Sequence, residues 1–162
     1  TGELTDHYDP SKKVIRLSHD IFHGESIASC AVAAHEVGHA IQYKEGNKLI
    51  KFRSLIFPVV SFCSKFGYIV IILSFILGQI QFFYLGIAML AFILLFQLVT
   101  LPVEFDASNK ALSELEKEQI LSQEELNSAK KVLLAAALTY VASLATTVLE
   151  ILRLILVASD ND

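Results

Sequence analysis

Cysteine is scarce in this 162-residue chain, which holds only Cys30 and Cys63. The two form no ligand spacing and no framework of pairs, so neither a cysteine metal site nor a disulfide scaffold is encoded. Both lie in apolar surroundings and read as small buried side chains. Basic clusters are missing too. Thirteen Lys and Arg stand against seventeen Asp and Glu, for a net charge of −4. No run of them suits a nucleic-acid backbone, so no nucleic-acid partner is expected. The sequence has no internal repeat and no low-complexity linker. Above all, charge is missing from residues 55–101, where Lys65 alone carries it.

What is there is grease: 54% of residues are hydrophobic. A soluble chain of this length cannot bury that much apolar surface in a core of its own. Four blocks follow one another. Residues 1–54 are mixed and polar, with seven of the 13 Lys/Arg and all five His. Residues 55–101 are apolar, 102–131 charged, and 132–158 apolar again. Inside the second block, Pro58–Leu77 and Phe82–Leu101 are each about 20 residues, the length of a bilayer core. Lys65 and Gln97 are their weak points, the former placed to snorkel or face a cavity. Only GQIQ (78–81) joins them, so they are predicted to form an antiparallel transmembrane hairpin.

In the first block, LTDHYDPSKKVIRLS predicts a β-hairpin. Leu4–Tyr8 and Val14–Leu17 are its strands, and Asp-Pro-Ser supplies the turn. Ile27, Cys30, Ala31, Ala34, Val37, Gly38 and Ile41 then recur at helical spacing. Gly46, just after Lys44, stops the run. A helix over about Glu25–Glu45 therefore carries HEVGH, and His35 and His39 project from one face. Given this chain's His and Glu content, HExxH arises by accident roughly 1% of the time. The motif still needs a third ligand.

The predicted hairpin supplies one. Its two ends emerge on the same side, so the residues before Pro58 and after Leu101 are neighbours, and Glu104 leaves the membrane beside the HEVGH helix. Catalytic zinc keeps three protein ligands and one open position. His35, His39 and Glu104 make that set for one Zn²⁺. Glu36 stands one residue on from His35 as the base that deprotonates the attacking water. Asp106 and Asn109 are candidate supports for a ligand histidine. His7, His19 and His23 read as surface histidines. Tyr8, Tyr43 and Tyr140 are candidate oxyanion donors, and the sequence selects none of them.

Ser122 followed by Glu125 is a capping box, opening a helix that runs to about Leu156. Lys130 and Lys131 fall at its interface, and the part from Val132 is apolar enough to span. Small residues from Ala135 to Thr147 suit close packing in lipid. Glu150 and Arg153 are spaced to pair. The fold class is therefore mainly α and integral to the membrane: a small N-terminal β-hairpin with the HExxH helix, a transmembrane helix hairpin, and a long C-terminal helix entering the membrane. Seven Lys/Arg precede the first span and four more (Lys110, Lys117, Lys130, Lys131) lie in 102–131. The positive-inside rule then puts the zinc site in the cytoplasm of a multi-pass cell-membrane protein.

LTDHYDP, RLS, AVAAHEVGHAIQ, LFQLVTLPVEFDAS and AAALTYVASL resemble the YugP family of bacterial membrane zinc metallopeptidases over nearly the whole chain. The resemblance implies a gluzincin-type peptidase with one zinc. His35 and His39 then match the histidine ligands, Glu36 the catalytic glutamate and Glu104 the glutamate ligand. It also implies a further N-terminal membrane helix, which would precede Thr1. A wider resemblance, to the CAAX-processing and heat-shock membrane proteases, implies an Asp four residues after the ligand glutamate. That position here is Ser108. The expected function is zinc-dependent endopeptidase action on protein or peptide substrates, membrane-associated ones foremost. A non-catalytic zinc-binding scaffold is the alternative, disfavoured by an intact Glu36. An ion transporter would want more polar residues in the spans.

Overall fold

The computed structural model describes residues 6–159. Two short strands, β1 (His7–Asp9) and β2 (Val14–Arg16), form the antiparallel hairpin, with Tyr8 opposite Ile15. Leu4 and Thr5, the start of the first expected strand, lie outside the described residues. Asp9 makes the turn: its Oδ1 accepts from the Ser11 and Lys12 backbone N–H groups at 3.0 and 3.1 Å and from the Ser11 hydroxyl at 2.6 Å. Such an aspartate offers the backbone a substitute for ladder bonds. These bonds, the Ser11 hydroxyl first, hold the Asp9 carboxyl below its ordinary value.

A four-residue helix, α1 (His19–Phe22), follows. It was not anticipated, because four residues are too few to show a period. Helix α2 (Ile27–Lys44) carries HEVGH. Ser26 caps it, accepting the Ser29 N–H at 3.0 Å. Gly46 ends it at φ 75°, which lets Asn47 N–H reach back to the Gln42 carbonyl at 2.9 Å. The left-handed conformation there favours glycine.

Helix α3 (Lys48–Leu77) starts ten residues before the expected span and takes Pro58 into its interior. The reason is the cap: Asn47 Oδ1 accepts from the N–H groups of Leu49 (2.9 Å) and Ile50 (3.4 Å). Gly78, at φ 62°, ends α3, with Gln79 N–H bonded to the Ser74 carbonyl at 3.1 Å. Helix α4 (Ile80–Lys117) runs straight through Pro102, and α5 (Gln123–Ser159) starts at the capping box. There Glu125 Oε2 accepts from the Ser122 backbone N–H at 2.8 Å and from its hydroxyl at 2.7 Å. The changes in composition near 101 and 131 therefore fall inside continuous helices.

The chain divides into two compact units. Thr1–Lys51 and Pro102–Thr139 form the first. Its core joins Ala31 and Ala34 of α2 to Ala111 and Leu115 of α4 and to Leu126, Ala129 and Leu133 of α5. Alanines at these contacts let the helix backbones approach. One close approach is at Gly38, where a Cβ would run into the Ala107 carbonyl oxygen and stand 2.9 Å from its carbon. Gly38→Ala is expected to destabilise the protein by about 1–3 kcal/mol through overpacking. The measurement is thermal melting in detergent, where a fall of several degrees is expected. An unchanged midpoint would show that the two helices separate freely.

Phe52–Leu101 and Tyr140–Asp162 form the second unit. Ile71, Phe83, Leu90 and Leu154 are its buried core. Gln97 is bonded across helices, its Nε2 donating to Ser143 Oγ at 3.0 Å. Lys65 is exposed on α3, and Glu150 and Arg153 pair at 2.6 Å. The hydroxyls of Thr146 and Thr147 donate to carbonyls one turn back on α5, as polar side chains in an apolar medium must find partners. Among the described residues, three helices, α3, α4 and α5, are long and apolar enough to cross a membrane. Only 28%, 22% and 11% of their most apolar windows are buried inside the protein, so most of that surface faces outward and calls for lipid.

Candidate metal centre

All the candidate ligands belong to the first unit. His35 and His39 lie one turn apart on α2, their rings edge to face with centroids 4.7 Å apart. Glu104 approaches from α4 and is 1% exposed. Its Oε2 lies 3.1 Å from His35 Nε2 and 3.6 Å from His39 Nε2. One ligand atom from each residue falls within 4.8 Å of the others. A tetrahedral zinc with bonds of about 2.0–2.1 Å holds its ligand atoms about 3.3 Å apart. The two measured distances bracket that spacing, and two imidazoles with one carboxylate are a donor set that zinc accepts, so the residues fit the ion.

The electrostatics point the same way. Burial lowers the pKa of His39, but the nearby Glu104 carboxylate, the Gln42 hydrogen bond and the Glu36 charge outweigh it. The net shift is upward from 6.5. Without a metal, His39 holds its proton more firmly than usual; a metal must displace that proton, so affinity rises with pH. Glu36 is buried on α2, three residues before His39, and contributes to the same field.

Two neighbours were not anticipated as supports. Ser108 Oγ sits 3.2 Å from His35 Nδ1, at the place where the wider resemblance implied an Asp. Gln42 Oε1 sits 3.0 Å from His39 Nδ1. The available signal was spacing, since Gln42 is three residues after His39 and shares its face. Asp106, a candidate support for a ligand histidine, is bonded elsewhere: its Oδ2 accepts from Gln42 Nε2 at 2.7 Å and from Asn47 Nδ2 at 3.4 Å. Lys110 stands 3.9 Å from Oδ1. Asn109 is exposed, five residues on from Glu104 and well round the helix from it.

His7, His19 and His23 are exposed, and the last two rings meet at a tilt of 47° with centroids 4.5 Å apart. Tyr8 and Tyr43 pair at 5.5 Å. Cys63 is buried and Cys30 half-buried. Burial, then the charge of Glu125, pushes the Cys30 thiol up, which keeps it in the inert protonated form.

A histidine pair on one helix and a buried glutamate on another are what a zinc peptidase is built from. Residues 1–159 match the family described as "Putative neutral zinc metallopeptidase". The chain belongs to that family. It is also 43% identical over 156 residues to a Bacillus subtilis (strain 168) protein named "Putative membrane protease YugP". The alignment covers 96% of this chain and 69% of that relative. No solved structure matches. The metal in the family's description agrees with the donor set of His35, His39 and Glu104, all inside the matched span.

Proposed function

We propose that the protein is a zinc-dependent membrane endopeptidase. The observation that carries this reading is the cluster itself: two imidazole nitrogens gathered at one buried carboxylate, at zinc-ligand spacing, beside a buried glutamate. His35, His39 and Glu104 would hold one ion. Zinc bound there supplies Lewis acidity, making a water nucleophilic near neutral pH and polarising the scissile carbonyl. Glu36 takes the proton from the attacking water as its oxygen adds to the carbonyl carbon. It returns that proton to the leaving amine nitrogen as the C–N bond breaks. Burial of Glu36 keeps bulk water from competing for the proton. The test is cleavage of an unfolded model protein by the detergent-purified enzyme. Cleavage stopped by a chelator and restored by zinc is the expected result. Cleavage indifferent to the chelator would sink the reading.

Substrates are proposed to be membrane proteins or peptides close to the bilayer, since HEVGH and Glu104 flank the first two spans in sequence. Lys and Arg flank those spans on the same side, which supports a cytoplasmic site. A cysteine introduced at exposed Lys12 should react with an impermeant maleimide only after intact cells are opened. Labelling of closed cells would reverse the orientation.

A further inference from the structure

Gln42 is wholly buried, 0% exposed. Its amide nitrogen lies 2.8 Å from the Val103 carbonyl oxygen and 2.7 Å from Asp106 Oδ2. A carbonyl and a carboxylate only accept, so the nitrogen end of the amide must face them. The oxygen end then faces His39 Nδ1 at 3.0 Å. An amide oxygen also only accepts, so Nδ1 carries the hydrogen. In the neutral ring that leaves the lone pair on Nε2, the nitrogen turned toward Glu104 Oε2 at 3.6 Å. A lone pair facing a carboxylate is repelled by it unless a proton or a metal cation stands between.

We propose that Gln42 is the positioning residue of the metal centre, fixing the tautomer of His39 and aiming its Nε2 at the ion. This deepens the peptidase reading and rests on His39 being a ligand. Ligand histidines commonly give their other N–H to a carboxylate, a carbonyl or water. Here a neutral amide takes that N–H and passes the demand on to Asp106. The acidic charge stays one residue away from the site, held against Lys110. The same side chain also grips the Val103 carbonyl, one residue before Glu104. One buried amide therefore sets a ligand on α2 and the backbone beside a ligand on α4.

The relay has a polarity, and polarity can be swapped. Gln42→Glu keeps the shape and can still accept from His39. It can no longer donate to Val103, and its new charge confronts Asp106. Adding Asp106→Asn supplies an amide that donates to the new carboxylate and removes the repulsion. The experiment measures zinc affinity by chelator competition and the visible absorption of the cobalt(II)-loaded full-length protein. The wild type, His39→Ala, Gln42→Glu and Gln42→Glu/Asp106→Asn are compared. The wild type is expected to bind one zinc and His39→Ala to lose it. Gln42→Glu should weaken zinc about 10–100-fold, the usual range for an outer partner, and shift the cobalt bands. The double variant should recover part of both, since the bond to the Val103 carbonyl stays lost. Should Gln42→Glu fail to fold, Asp106→Ala, on a part-exposed side chain, replaces it, with about a tenfold loss expected. Wild-type affinity and bands in Gln42→Glu, or in that replacement, overturn the positioning role, as does a loss that Asp106→Asn leaves unrescued. Zinc retained by His39→Ala, or none in the wild type, overturns the site reading and this inference with it.

Discussion

Glu36→Gln is expected to lower kcat by about 10²–10⁴-fold, the usual contribution of a positioned base, with zinc content unchanged. Glu36 is buried beside the histidines and lies outside the set of three whose donor atoms converge. Glutamine matches its shape and keeps its hydrogen-bonding reach, but it cannot take a proton from water at neutral pH. Only the proton transfer is removed, so kcat should fall much more than KM rises. Metal analysis alongside kinetics on one preparation decides the matter. Full activity would remove Glu36 from the reaction. Lost zinc would move it into the ligand set.

Glu104→Gln is expected to weaken zinc by about 10²–10³-fold. A closed four-ligand site is worth about 10–16 kcal/mol in small zinc peptides, which makes one ligand worth about 3–4 kcal/mol. The effect should fall on binding because Glu104 Oε2 is shared between both histidines, 3.1 Å from one and 3.6 Å from the other. It would also give the ion a negative partner in a buried place. Chelator competition reads the change. A variant that still holds zinc as tightly as the wild type would mean that the carboxylate only hydrogen-bonds the imidazoles. The ion would then need another third ligand.

Much of the scaffold was legible because its signals are local. Ser26 and Gly46 bound the HEVGH helix, and Ser122 with Glu125 open the last one, each through bonds spanning three to five residues. The candidate spans were legible from length and the lack of charge. The start of helix α3 was not legible from the span alone, because Asn47 caps the helix eleven residues before Pro58. Nor did the end of the second span give the end of its helix, because the chain turns polar after Pro102 while the helix goes on to Lys117. Polarity reports where a chain meets water, and the hydrogen-bond ladder does not stop there.

The candidate site divides along the same line. His35, Glu36 and His39 are set by the sequence itself, since four residues make one helical turn and put both imidazoles on one face whatever surrounds them. Glu104 followed from the short GQIQ link, which folds the spans back and returns the chain to the histidines. What held those histidines could not be read that way. Asp106, two residues from Glu104, was the natural candidate. Only the tertiary structure put Gln42 between it and His39, and Ser108 against His35. Such partners depend on which atoms of two helices come within about 3 Å. That register comes from contacts distant in sequence, such as Gly38 against Ala107, 69 positions apart in the chain.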